Sequence, residues 1–188
     1  DDVGVSWLPL YHDMGLIGLL MTPMLTGFEL GLAPPQDFLA APGDWMRWMS
    51  EQRATVTGGP NFAYALAGRA LRRLDGLDLS AWRLALNGAE PIDPTSVEDF
   101  LEAGARHGLD SKAAFCVYGM AEATLAISFP QPGTGMTVEG VAGSARNVPT
   151  AISQMFEVVH VVAAVCAPAG VSTRNSTSRI LVSLASTV

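Results

Sequence analysis

ATVTGGPNFAYALAGRALRRLDGLDLSAWRLAL, residues 54–86, is the stretch on which the fold turns. Its first four residues are short and β-branched, which predicts a strand at 54–57. Gly58-Gly59-Pro60 then breaks the run, and residues 61–74 read as a helix whose wet end carries Arg72, Arg73 and Asp75. Residues 82–86 form a second apolar strand. A strand, a helix and a strand joined by short connections make a crossover unit, and that unit places its two strands parallel in one sheet.

The same alternation extends in both directions. Upstream, residues 3–8 read as a buried strand ending at Pro9, residues 14–25 as a helix apolar round most of its circumference, and residues 28–33 as another strand. Asp44 is the expected N-cap of a helix over 45–53, with Trp45, Trp48 and Met49 on one face. Downstream, Asp93 precedes a helix over 94–107, and residues 113–117 supply a further strand. The fold class is therefore α/β, a mostly parallel sheet with flanking helices. Such sheets bind ligands beyond the carboxyl ends of their strands. Tyr11-His12-Asp13, Gly58-Gly59-Pro60-Asn61, Asn87-Gly88-Ala89-Glu90 and Tyr118-Gly119-Met120-Ala121-Glu122 each follow a predicted strand, so all four are expected at one edge. In the last of these, an aromatic ring can stack on a base, a glycine admits close backbone approach, and a carboxylate can hold Mg²⁺. A plain strand-to-turn junction has the same appearance.

Composition narrows the classes of function. With 188 residues, 49% hydrophobic and 15% charged, the chain can bury a substantial core. A net charge of -7 argues against nucleic acid as a partner, since binders of the phosphate backbone concentrate Lys and Arg. Small phosphorylated ligands remain compatible, because backbone N–H groups and a metal can hold them. Cys116 and Cys166 stand far apart and form neither a redox pair nor a zinc knuckle. Residues 14–31 are strongly apolar, but Pro23, Glu29 and several glycines interrupt them, so no integral membrane segment is expected. The start carries no secretory pattern, which gives a cytoplasmic expectation, and it looks like entry into the middle of a fold. After Glu139 the texture changes to Ala, Val, Ser and Thr with few charges. Residues 152–165 read as either a strand or a helix, and the last dozen residues as a frayed tail.

Four blocks then carry a specific resemblance: SWLPLYHDMGLIG at 6–18, ATVTGGPNFAY at 54–64, LDLSAWRLALNGAEPI at 77–92 and FCVYGMAEATLAIS at 115–128. In these blocks, their order and their spacing the chain resembles the fatty-acyl-AMP ligases of the adenylate-forming superfamily, relatives of the acyl-CoA synthetases. The likeness covers about residues 1–139, which implies a partial adenylation domain; 140–188 is an unmatched segment, and its abrupt change of texture gives the expectation of a frameshifted or truncated origin. It implies ATP and Mg²⁺ as cofactors and a fatty acid as substrate. In the reaction a carboxylate oxygen attacks the α-phosphate, giving acyl-adenylate and pyrophosphate. An acyl carrier protein or polyketide synthase is the implied acceptor.

By the same match, Glu122 is the metal ligand and Tyr118 packs beside adenine, with Gly119, Met120 and Ala121 completing that turn. Many superfamily members carry a hydroxyl where this chain has Ala121. Gly88 and Ala89 line the adenine, flanked by Asn87 and Glu90. Glu90 reads equally well as a charge favouring a helix N-terminus. His12 matches the gate between phosphate and acyl pocket, where it positions the carboxylate; a structural histidine is the competing reading. Gly58, Gly59 and Phe62 match the wall of the acyl channel, and glycines required only for positive φ before a helix would look the same. The phosphate loop, the ribose-binding Asp and the C-terminal domain with its catalytic Lys have no counterpart in these residues. The expectation is an incomplete ligase with little activity alone. A non-catalytic lipid- or nucleotide-binding remnant and an acyl-CoA synthetase are the alternatives.

Overall fold

The computed structural model describes residues 2–138. The expectations for residues 140–188 lie outside these. Five parallel strands form the main sheet in the order β2-β1-β3-β4-β5: β1 (Val3–Ser6), β2 (Glu29–Leu32), β3 (Val56–Gly59), β4 (Leu84–Asn87) and β5 (Ala114–Cys116). From β1 the chain steps outward to β2 and then crosses back to β3 on the other side. The strand order therefore reverses between β1 and β3, where an open α/β sheet opens a crevice at its carboxyl edge.

One face of the sheet is covered by a helical layer of α2 (Pro35–Ala40), α3 (Pro42–Glu51), α4 (Asn61–Leu71) and α5 (Pro94–Ala105). Each of these helices gives the layer a large buried aromatic, Phe38, Trp45, Tyr64 and Phe100, and Trp82 joins them from the segment before β4. Trp45 is fully buried, and its ring centroid lies 5.3 Å from Tyr64, 6.0 Å from Trp82 and 5.7 Å from Phe38. Phe100 closes the cluster at 5.1 Å from Tyr64, and offset or edge-on aromatic pairs of this kind add to simple burial. The polar tips are satisfied by the strands: the Trp45 indole N–H donates to Thr57 Oγ1 at 3.1 Å, and the Tyr64 hydroxyl donates to the Leu86 carbonyl at 2.7 Å. Complete burial pushes the Tyr64 hydroxyl well above its ordinary pKa, with Cys116 a smaller contribution in the same direction.

The opposite face carries a π-helix (Met14–Met21) continuing into α1 (Thr22–Thr26), and a two-stranded antiparallel hairpin of β6 (Tyr118–Gly119) and β7 (Ala126–Ser128). Gly27, at φ 81°, closes α1 in the left-handed conformation. At the amino edge, Asp2 accepts from Arg83 Nε at 2.8 Å and from the Thr55 hydroxyl at 2.7 Å, tying the start of the chain to the entrances of β3 and β4.

Several expectations are corrected. The apolar stretch 14–25 is not one α-helix but a π-helix followed by a short α-helix, with Thr22 N–H and Oγ1 both bonded to the Ile17 carbonyl five residues back. A run that is apolar all round has no stripe to fix its period. Asp44 does not cap α3. The helix already begins at Pro42, and Asp44 sits in its first turn paired with Arg47. The third strand falls at Val56–Gly59 instead of 54–57, so Gly58 and Gly59 lie within it, and neither has a positive φ. Asp93 does cap α5, accepting from the N–H groups of Thr95 and Ser96. The Ser96 hydroxyl, more than the two backbone donors, holds the Asp93 carboxyl below its usual pKa.

Candidate functional site

At the carboxyl edge, between the π-helix, the hairpin and the uncovered face of the sheet, lies a cavity of about 420 Å³. Its floor follows from strand register. Gly58 pairs with Leu86 and Leu86 with Phe115, so these three share a row, with Val56 and Leu84 paired in the row nearer the amino edge. All five line the cavity. Residues two apart on a strand face the same side, while Thr57 and Ala85 between them serve the helical layer. The mouth is formed by Tyr11, His12 and Asp13 after β1, Ala89 after β4, and Tyr118 to Ala121 after β5. A volume in the usual range for small-molecule sites, a mostly apolar wall and a rim with a few polar groups are the features of a ligand pocket.

Of the residues singled out in the sequence, His12, Gly58, Ala89, Tyr118, Gly119, Met120 and Ala121 line this cavity. Tyr118 is 52% exposed at the rim of the cavity. His12 Nδ1 lies 2.8 Å from Asp13 Oδ1 and 3.2 Å from the Met14 N–H. Protonated, it donates to Asp13; unprotonated, it accepts from Met14, and either contact steadies the imidazole at the mouth. Glu122 sits on the one-turn helix Ala121–Ala123 beside the mouth, exposed, and among the described residues no hydrogen bond or ion pair engages its carboxylate.

Asn87, Gly88, Glu90, Gly59 and Phe62 stand outside the cavity wall. Asn87 is 2% exposed and turns to the helical side, donating from Nδ2 to Asn61 Oδ1 at 3.2 Å. Glu90 accepts from the Phe62 N–H at 2.7 Å. It therefore caps α4, whose own N-cap position is Pro60 with no side-chain cap. The expected helix-terminus role is present, but for α4 and not for the helix that follows Glu90. A Cβ on Gly59 would meet Ala63, Trp45 and Trp7 at 3.3–3.4 Å, so this glycine is fixed by core packing. Phe62 packs towards Phe38 at 6.4 Å and is 44% exposed.

The backbone at the site is built for close approach. A Cβ on Gly119 would lie 1.9 Å from the Leu125 carbonyl oxygen, so the tight crossing of the hairpin demands glycine there. Ala89 and Thr124 both adopt φ 70°, and Thr124 combines this with ψ -50°, a strained conformation for a β-branched residue. Strain of this kind gathers at functional sites. Sequence reasoning did not single out Leu84, Leu86, Phe115, Leu125 and Phe129, which complete the wall. The alternation of Leu84, Leu86 and Phe115 was hidden in near-continuous apolar strands, where only parity and register from Gly58 separate them from the helical side, while Leu125 and Phe129 flank a strand too short to show a period.

Comparison with known proteins gives the family and the fold. The family model for AMP-binding enzymes matches residues 1–159. A Mycobacterium tuberculosis protein named as a ligase, Rv1013, is 48% identical over 143 residues, covering 74% of this chain and 26% of its own length. The medium-chain-fatty-acid–[acyl-carrier-protein] ligase TtuA of Teredinibacter turnerae is 40% identical over 125 residues, 65% of this chain and 20% of that protein. The chain thus spans about a quarter or less of the length of these relatives. The solved fatty acyl-adenylate ligase from L. pneumophila, in complex with acyl adenylate and pyrophosphate, superposes with a TM-score of 0.67 at 38% identity, over 72% of this chain and 24% of that one. Among the described residues no helix is long and apolar enough to cross a membrane. The blocks at the sheet edge, the parallel fold they sit on and these matches together place the chain in the AMP-binding enzyme family, with fatty acyl-AMP ligases as its structural neighbours.

Proposed function

We propose that this chain carries the adenine corner and acyl pocket of a fatty-acyl-AMP ligase, and that alone it is an incomplete enzyme. The observation that carries the reading is one apolar cavity whose mouth gathers His12, Ala89 and Tyr118 to Ala121, from loops after three different strands. The apolar floor suits an alkyl chain and Tyr118 offers a face for a base. His12, steadied by Asp13 and Met14, stands where a carboxylate would pass from pocket to phosphate. Its task is placement, because a fatty acid is already ionised at neutral pH.

Glu122 fits a Mg²⁺ ligand as an exposed carboxylate beside the mouth, with no hydrogen bond or ion pair among the described residues. Among the described residues no group of three or more His, Cys, Asp or Glu is gathered. One carboxylate, with substrate phosphates and water completing the shell, is the way Mg²⁺ is commonly held. When bound, the ion would neutralise phosphate charge. A fatty acid as substrate and an acyl carrier protein as acceptor are in keeping with the names of the relatives, and ATP and Mg²⁺ with the resemblance to the adenylate-forming enzymes.

The chain should bind a non-hydrolysable acyl-adenylate analogue, such as an acyl-sulfamoyl adenosine, saturably in a fluorescence titration, while catalysing little or no fatty-acid-dependent ATP–pyrophosphate exchange. No binding would remove the site assignment. Robust exchange would overturn the incomplete-enzyme reading, and Glu122→Gln should then abolish it.

A further inference from the structure

The cavity does not stop at the row that holds Gly58. It continues to Val56 and Leu84, two residues nearer the amino edge on β3 and β4. The π-helix approaches the floor at this point: a Cβ on Gly58 would meet Leu86 Cβ at 3.2 Å and Leu19 Cδ1 at 3.5 Å. On the opposite wall, Gly18 and Leu125 both line the cavity, and a Cβ on Gly18 would meet Leu125 Cδ2 at 3.1 Å, so any side chain there would press on the hairpin across the cavity. The wider turn of a π-helix, rare as a whole element and frequent at functional sites, sets Gly18 and Leu19 against these neighbours.

We propose that Gly18 governs the width of the passage for the acyl chain and that Val56 and Leu84 form its blind end, so that these residues fix the chain length accepted. The inference rests on the acyl-pocket reading above and adds the residues that limit the substrate. A methylene that still finds room should tighten binding by roughly fourfold, and one that meets the end should add nothing. The affinity of a series of saturated carboxylates, lengthened one methylene at a time, should therefore rise and then break at a definite length.

The experiment measures that break by displacement of a fluorescent fatty acid from the unaltered chain, from Gly18→Leu and from Val56→Ala, each checked for a cooperative urea transition. Gly18→Leu should move the break to shorter chains and Val56→Ala to longer ones by about one or two methylenes. A break at the same length in folded variants would overturn the proposal while leaving the acyl pocket standing. If the unaltered chain bound no carboxylate of any length, the acyl reading itself would fall. Should Gly18→Leu not fold, the shift in Val56→Ala decides alone.

Discussion

The two faces of the parallel sheet are made from alternate residues of the same strands, yet they end in opposite states. Thr57 and Ala85 meet a helical layer in which Trp45, Trp82, Tyr64 and Phe100 are at most 2% exposed and their ring centroids lie 5.1–6.0 Å apart. Val56, Gly58, Leu84 and Leu86 meet a π-helix and a small hairpin with a cavity of about 420 Å³ between. One face holds the fold together, and the other keeps space. The glycine at 58 is where that division is sharpest, because its neighbour Gly59 points into the packed side and is filled around by Ala63, Trp45 and Trp7.

The sharpest way to break this comparison is a matched pair of truncations. Trp45→Ala should cost about 4 kcal/mol, since a fully buried ring with neighbours on all sides leaves a cavity that cannot collapse. Leu86→Ala, on a wall that already lacks partners on one side, should cost about 2 kcal/mol or less. Urea midpoints on the two variants check this, and equal losses would deny that the faces differ.

A second prediction lies at the amino edge, outside both faces. Burial raises the pKa of Asp2, but hydrogen bonds from Arg83 and Thr55 and the guanidinium charge outweigh it and hold the carboxyl below its ordinary value. A depressed folded pKa means that this stabilisation is present above about pH 4 and is lost as the pH falls through the folded value. Asp2→Asn should therefore cost about 1.5 kcal/mol at neutral pH and flatten the acid-side decline in stability. An unchanged acid-side slope in the variant would contradict the assignment. Thr124→Gly has the smallest effect and the opposite sign. Releasing the φ 70°, ψ -50° backbone should raise stability by about 1 kcal/mol, placing the strain on the cavity side. A loss of stability in thermal melts would place it elsewhere.

How much of this was legible depended on the length of each signal. The succession along the chain of the five main strands and of α3, α4 and α5 could be read because apolar or β-branched runs alternate with Gly, Pro and Asp breaks. β6, Tyr118–Gly119, and β7, Ala126–Ser128, are too short for any period to appear. α2, six residues between Pro34 and Pro42, is too short and too closely flanked by proline to show a helical period. At the site, residues whose chemistry is unusual for their position, such as His12, Tyr118 and Glu122, stood out. Leu86 and Phe115 did not, since in a strand covered on both sides nothing in the residue type tells a pocket wall from a core. Glu90 was legible as a helix-terminus charge, but only the fold reveals that it serves a helix beginning 29 residues earlier, at Asn61.

The most direct test follows backbone amide shifts by nuclear magnetic resonance while the chain is titrated with a non-hydrolysable acyl-adenylate analogue. Saturable shifts at Gly18, Gly58, Ala89 and Tyr118 to Ala121, with Ala63, Ala67 and Ala103 of the helical layer unmoved, are the predicted result. Shifts centred on α4 and α5, or none at any concentration, would contradict the assignment of the open face to ligand.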